Sequence, residues 1–336
     1  SDLGPIFELC ARAAGGLKDG AVLVILCQVP PGFTRGLELD PARLYYQVET
    51  LVVGQAVERG LGPDRFIVGC ADPAAPLAPA LRRYLEAFDC PILPMRYESA
   101  ELAKIAVNMC LAAQVGVANT MAELCEKLGA DWGEIVPALK LDRRIGPHAY
   151  LRPGLGIAGG NLERDLATVC SLAEASGSDA HLARALIADS AYRKDWALRV
   201  LRETALHGGA EAVVAVLGLA YKENTTCTRN APALALMAAL KGHRLRVYDP
   251  AVAAADLPLA GLEQMPSALA ACEGADALAI MTPWAEFRSL APAEVAAALA
   301  GNTVVDPYGV LDAARCRKAG LDHRTLGRPA GASPGR

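Results

Sequence analysis

The 336-residue chain has no C-x-x-C pair, no block of lysines and arginines, and no unbroken apolar stretch of the roughly 18 residues that a membrane-spanning helix needs. Each absence excludes something. Without a basic block, and with a formal net charge of −4, there is no electrostatic reason to expect nucleic acid or a membrane surface as partner. The five histidines show no ligand spacing, so no dedicated metal site is expected. Ser1-Asp2 does not open a signal peptide. The ten cysteines are scattered, several in apolar runs such as "LVILCQV" and "NMCLAA", where a thiol behaves as a small hydrophobe. That pattern predicts reduced, buried cysteines and a cytoplasmic protein.

What is there is a composition of 53% hydrophobic and 21% charged residues, enough for two or three packed domains with their own cores. Residues 1–96 alternate strand-like runs ("AVLVILCQV", "RFIVG", "PILPMR") with helical pieces, which favours a parallel sheet. Residues 97–207 read as helical almost throughout, led by "ESAELAKIAVNMCLAAQVGVANTMAELCEKLG", which Gly129 stops. From residue 208 the alternation returns with "AVVAVLGLA", "RLRVYDP", "ALAIMT" and "NTVVDPYG" as strands, up to about residue 328. The tail "GRPAGASPGR" is expected to be disordered. There is no internal repeat, so the last region is a second doubly wound unit and not a copy of the first. The expected fold is α/β, two Rossmann-like parallel-sheet domains joined by a central helical domain.

The stretch "LRPGLGIAGGNLERD" contains G-x-G-x-x-G at Gly154, Gly156 and Gly159. A dinucleotide turn needs a strand before the first glycine, and Pro153 argues against one. The glycines read better as a loop whose backbone approaches a ligand and feeds the helix "NLERDLATVCSLAEA". Asn161 is its expected N-cap, with Glu163 in the favourable first turn. Asp165 lies four residues on, on the same helix face. Lys104 and Asn108 show the same spacing on the long apolar helix. A Lys, an Asn and an Asp are the groups an acid/base pair and a polar anchor around one hydroxyl require.

Taken together, five ordered motifs resemble the UDP-glucose/GDP-mannose dehydrogenase family: "QVPPGFT", "QVETLVVGQAVERGLGPDRFIVG", "ESAELAKIAVN", "DRRIGPHAYLRPGLGIAGG" and "VLGLAYKENTTCTRNAPAL". The resemblance implies an N-terminal NAD-binding domain (1–96), a helical dimerisation and substrate domain (97–207) and a C-terminal domain for the nucleotide of a sugar nucleotide (208–328). It implies NAD-dependent oxidation of a sugar such as that of UDP-glucose, a UDP-sugar as partner, a homodimer, and a place in polysaccharide biosynthesis. Carried over by residue, Glu49, Lys104, Asn108 and Asp165 match catalytic positions. Arg144 matches an arginine that reaches the neighbouring subunit's sugar nucleotide. Tyr150 and the loop of Gly154, Gly156 and Gly159 match the substrate cradle, and Lys222 a substrate-binding lysine. Arg229 matches an arginine directed at the cofactor.

The departures shape the expected chemistry. Asn161 stands where the family has the cysteine that captures an aldehyde as a thiohemiacetal, and an amide is no nucleophile. Gln28 replaces a threonine, Arg164 a lysine, and Val53 a second glutamate, while "DPYG" at 306–309 replaces an Asp-x-Arg-Asn segment. The family's first strand-turn-helix, with its own G-x-G-x-x-G, is not among the 336 residues, and further N-terminal sequence is the expectation. Oxidation stopping after one hydride is the leading reading. A non-catalytic sugar-nucleotide-binding homologue and an epimerase-like enzyme that retains its NAD stay open beside it.

Overall fold

The computed structural model describes residues 3–49, 51, 56–158, 160–206 and 211–331. The chain divides into two compact units, 1–108 and 109–336, and the helix α4 (Tyr97–Leu128) carries the boundary within it. Ser1, Asp2, Val53 and Gly159, named above, lie outside the described residues, as does the end of the tail, 332–336.

In the first unit α1 (Gly4–Gly15) precedes β1 (Leu23–Ile25), β2 (Leu44–Gln47), α2 (Ala56–Leu61), β3 (Phe66–Cys70), α3 (Pro79–Glu86) and β4 (Ile92–Arg96). The sheet order is β1-β2-β3-β4. β1–β2 and β3–β4 are parallel, but β2–β3 is antiparallel, so the wholly parallel sheet expected from sequence is corrected here. Apolar patterning marks a strand without marking its direction, and β2, "LYYQ", was not among the anticipated strands at all. At the centre of the sheet Gly69 has a structural reason. A Cβ there would stand 3.0 Å from both the Ala100 and the Tyr46 Cβ atoms, so the missing side chain lets α4 settle on the strands. Glu101, next on α4 and wholly buried, accepts the Gly32 N–H at 2.6 Å and the Thr34 N–H at 2.8 Å. The "PPGFT" turn is thereby tied to the helix by a carboxylate satisfied by main-chain donors.

The second unit continues through α5 (Trp132–Leu141), α6 (Asn161–Ser176), α7 (His181–Lys194) and α8 (Trp196–Thr204). Then come β5 (Val213–Leu217), α9 (Pro232–Ala239), β6 (Arg244–Tyr248), β7 (Leu262–Gln264), α10 (Ala268–Cys272) and β8 (Ala277–Ile280). α11 (Pro292–Ala298), β9 (Thr303–Val305), α12 (Ala313–Lys318) and β10 (Asp322–Arg324) complete it. Its sheet is ordered β10-β9-β8-β5-β6-β7, with every adjacent pair parallel. The order reverses between β5 and β8, the switch point at which doubly wound sheets open a crevice beyond the carboxyl ends of their strands. β5 shows why its sequence is an unbroken apolar run. Val214 and Val216 join the core on one face and Ala215 and Leu217 the core on the other, so none of these four positions faces water. Burying a side chain such as Leu217 contributes about 2 kcal/mol.

Two further expectations are corrected. Cys27 and Cys110, which sit in the apolar runs quoted above, are exposed, and so is Cys227. Cys27 lies beyond the end of β1, and Cys110 is on an outward face of α4. The tail is held at its start. Glu126 on α4 accepts the Gly327 N–H at 2.8 Å, and Arg328 pairs with Asp131 at 3.1 Å. Composition cannot register a carboxylate supplied from 201 positions away.

α4 is long and apolar enough by length and composition to cross a membrane. Its polar side chains nonetheless serve other parts of the protein. Glu101 holds the 32–34 turn, and Glu126 accepts from Gly327 N and Trp196 Nε1. Glu123 meets the fully buried Arg193 at 2.9 Å.

Candidate active site

Within the first unit, Ala100 seats α4 against Gly69, and Lys104 follows one turn later on the same face. Its Nζ donates to the main-chain oxygen of Glu49 at 2.6 Å, bringing together two of the residues anticipated as catalytic. Glu49 also accepts from the Leu51 N–H through its carboxylate. Asn108, on the next turn, and Gln28 are both half-buried in this unit.

In the second unit the glycine loop is held from behind by side chains of three helices. Gln114 Oε1 on α4 accepts the Tyr150 N–H at 2.7 Å, and Trp132 Nε1 on α5 donates to Leu151 O at 2.8 Å. Asn119 Oδ1 on α4 accepts the Gly154 N–H at 2.8 Å, and Ser190 Oγ on α7 accepts the Ile157 N–H at 2.8 Å. Gly156 has φ +71°, and a Cβ there would fall 2.3 Å from Ser190 O, so glycine is required on two counts. Asn119 and Ser190 are buried, and no local pattern marks them in the sequence. Both lie more than thirty positions from the loop atoms they hold, at separations of 35 and 33. Asp189, next to Ser190 on α7, has its carboxyl raised above its ordinary value chiefly by burial.

The loop borders a cavity at each end. At its start a cavity of about 510 Å³ is walled by Trp132, Lys140, Tyr150, Arg152, Tyr308 and Arg328, among others. Arg152 stands over the Tyr308 ring at 5.9 Å, and burial pushes the Tyr308 phenol up to about 12. At its end a cavity of about 640 Å³ is lined by Gly160, Asn161, Arg164, Tyr221, Cys227 and Arg229, among others. Tyr221 and Cys227 belong to the connection that leaves the carboxyl end of β5, the strand at the switch point. Asn161, Arg164 and Arg229, three residues named from sequence, thus share one cavity.

Asn161 is not the N-cap. Gly160 occupies that position with φ +150°, and Asn161 is the first helical residue, exposed and without a capping bond. Glycine can make this turn without a Cβ penalty, so the asparagine side chain is not spent on the helix end. Glu163 bonds to Lys194 Nζ and accepts from Asn230 Nδ2 at 2.6 Å, tying the first turn of α6 to α7 and to the loop after β5. Asp165 is buried with only 2% exposure, and Arg164 Nε lies 3.4 Å from its Oδ1. Lys222 stands over the Tyr221 ring at 5.6 Å. Arg144 is exposed and pairs with Asp142 at 2.6 Å, away from both cavity walls. Sequence reasoning missed Asn119, Ser190, Gln114, Arg152, Tyr221 and Tyr308.

The central-domain model of the UDP-glucose/GDP-mannose dehydrogenase family matches residues 98–189, and that family's UDP-binding-domain model matches residues 215–313. A UDP-glucose 6-dehydrogenase of Pseudomonas aeruginosa is 31% identical, over 98% of this chain and 77% of its own. The structure of a UDP-glucose dehydrogenase from the hyperthermophilic archaeon Pyrobaculum islandicum aligns with a TM-score of 0.83 at 28% identity, covering 97% of this chain and 76% of that one. A UDP-D-ManNAc dehydrogenase from Pyrococcus horikoshii aligns with a TM-score of 0.80 at 24% identity and shares the fold.

Proposed function

The chain belongs to the UDP-glucose/GDP-mannose dehydrogenase family, and from that footing we propose that it oxidises a UDP-glucose-like nucleotide sugar with NAD and stops after one hydride. The observation that carries the one-step reading is Asn161 on the wall of the 640 Å³ cavity. Its amide offers no nucleophile to capture an aldehyde, so no thioester forms there.

The nucleotide belongs at the start of the loop. Tyr150, Tyr308 and Trp132 offer flat faces for a base, and Lys140, Arg152 and Arg328 offer charge for a pyrophosphate. Pro307–Gly309, on that wall, fall within the stretch matching the UDP-binding domain. The sugar belongs at the other end, near Asn161 and Lys222. In the proposed chemistry Asp165 takes the proton of the reacting hydroxyl as hydride departs, because the two losses must accompany each other. Lys104, Asn108 and Glu49 keep the catalytic roles that the resemblance implies. Arg164 and Arg229 carry two guanidinium groups to one cavity, a donor set that fits the anionic groups of a dinucleotide. Gln28 keeps the cofactor-binding role that the resemblance implies. The chemistry that NAD would supply is acceptance of the hydride.

We extend the reading to a cytoplasmic homodimer built as three functional parts, 1–96, 97–207 and 208–328. All ten cysteines are free, which suits a reducing compartment. Val117, Met121, Leu124 and Leu128 recur at helical spacing on α4 and are all exposed, an apolar stripe suited to a second copy. Light scattering at micromolar concentration should give a dimer, and a monomer would remove this part of the reading.

The deciding experiment incubates the protein with NAD and a panel of UDP-sugars, following NADH by absorbance and products by mass. One NADH per sugar, without a sugar acid, is expected. Two NADH with an acid product would overturn the one-step reading. Binding without turnover would instead favour a sugar-nucleotide-binding protein, a second reading that the same Asn161 supports.

A further inference from the structure

Beyond β10 the chain runs along the wall of the 510 Å³ cavity, to which it contributes Thr325, Leu326 and Arg328. These residues lie outside both stretches that match the family, 98–189 and 215–313. Each of the last three is fastened to a different neighbour. The Leu326 N–H donates to Pro307 O at 3.4 Å. The Gly327 N–H donates to Glu126 Oε1 on α4 at 2.8 Å, and Gly327 O accepts the Trp132 N–H of α5 at 2.9 Å. Arg328 Nε meets Asp131 Oδ2 at 3.1 Å. The crossing is close. Gly327 has φ +77°, and a Cβ there would lie 2.8 Å from the Trp132 Cβ and 3.4 Å from the Ala122 Cβ. Glu126 is itself anchored, its Oε2 accepting from Trp196 Nε1 at 2.9 Å and its Oε1 lying 3.5 Å from Nη2 of the buried Arg193. The carboxylate is fixed by α7 and α8, and the segment conforms to it.

We propose that Thr325–Arg328 is a strap, clamped by Glu126 through Gly327, that delivers Arg328 to the diphosphate of a nucleotide in this cavity. The inference rests on the reading of the cavity as the nucleotide site. Arg328 is the residue that meets the ligand, and Glu126 is a positioning residue that acts through the main chain. The Arg328 side chain is 44% exposed, so it is open to a ligand although its backbone is held. A guanidinium has five N–H donors, and the Asp131 contact engages the one on Nε. The Nη fork is the part suited to paired phosphate oxygens. Asp131 is in turn the N-cap of α5, its Oδ1 accepting the Gly133 N–H at 2.7 Å. An arginine held at both its main chain and its Nε loses less freedom when the ligand arrives than one on an untethered tail.

The test is a double-mutant cycle read by calorimetry, with UDP and uridine as probes. Arg328→Ala should raise the Kd for UDP on the order of tenfold and leave that for uridine, which lacks the diphosphate, within about twofold. Gly327→Ala, which forces the strap off Trp132, should weaken UDP by a similar factor. Because both act through one guanidinium, the double variant should bind UDP within about threefold of either single one. A merely structural Gly327 would lower the Tm, and its effect on UDP would persist undiminished beside Arg328→Ala. Should Gly327→Ala fail to fold, Glu126→Gln keeps the size and removes the charge that holds the Gly327 N–H. It must then weaken UDP binding in the wild-type background and not in the Arg328→Ala background. An Arg328→Ala protein that binds UDP as well as wild type, equal losses for UDP and uridine, or single effects that multiply to about a hundredfold overturn the strap. A wild type that binds neither UDP nor uridine removes the nucleotide reading first, and the strap with it.

Discussion

The two ends of the loop from Tyr150 to Asp165 are built on opposite plans. At the first end the main chain is fastened by Gln114, Trp132, Asn119 and Ser190, the last two deeply buried, and the cavity beside it offers aromatic faces and cations. At the second end Asn161, Arg164, Cys227 and Arg229 are exposed side chains around a cavity. Shape at the first end comes from backbone that a core holds in place. The chemistry proposed for the second end draws on side chains that packing leaves exposed, beside the buried Asp165. That is why an asparagine can stand at 161 without unsettling α6: the turn is made by Gly160 and the first turn is tied by Glu163.

If the ends divide labour in this way, substitutions at one should change turnover and at the other affinity. The largest effect belongs to Asp165→Asn, which keeps size and removes charge. Turnover of the UDP-sugar should fall on the order of a hundredfold or more, with the calorimetric Kd within about threefold of wild type. Unchanged turnover would take Asp165 out of the mechanism.

Next comes Gly156→Ala, at the fastened end. A Cβ 2.3 Å from Ser190 O, on a residue with φ +71°, must displace α7 or the loop. A cost of roughly 2 kcal/mol corresponds to about thirtyfold in affinity for UDP-glucose. A variant that binds as well as wild type would show that the loop's shape is not what the ligand meets.

Smaller again is Arg152→Ala on the wall of the cavity proposed for the nucleotide. It should raise KM and the Kd for UDP about tenfold and leave kcat unaltered. A fall in kcat of the same size would mean that the two ends are not separable. The smallest change is numerical. Asn161→Cys places a thiol at the family's nucleophile position, so the NADH formed per sugar should go from one to two, with a sugar acid as the second product by mass spectrometry. A ratio that stays at one would mean that something besides residue 161 limits the oxidation.

Much of the fold was legible because it is written in short-range patterns. β1, β3, β4, β5, β6, β8 and β9 all fall inside the apolar runs of the sequence, and α4 ends beside Gly129, at φ +80°. Pro153 correctly kept "HAYLRP" from being read as a strand. β2, β7 and β10 were missed. β7 and β10 are three residues long and lie in polar stretches, where position at the sheet edge and not hydrophobicity makes them strands. The direction of β2 against β3 could not be read either, since an apolar run is the same in both orientations.

By itself the sequence determined the family, the succession of the apolar strands in both sheets, and the identity of the residue at 161. These are properties of contiguous motifs, and each motif carries its own spacing. Only the tertiary structure decided which side chains hold the glycine loop. Gly154 meets Asn119, Ile157 meets Ser190, and Gly327 meets Glu126 across separations of 35, 33 and 201 positions. A buried main-chain N–H must find an acceptor, but any polar side chain that packing brings within about 3 Å will serve. The requirement is local, and its satisfaction is not. Asn119 therefore looks in the sequence like any other polar residue of α4, and acquires its loop partner only when α4 and the loop have packed together.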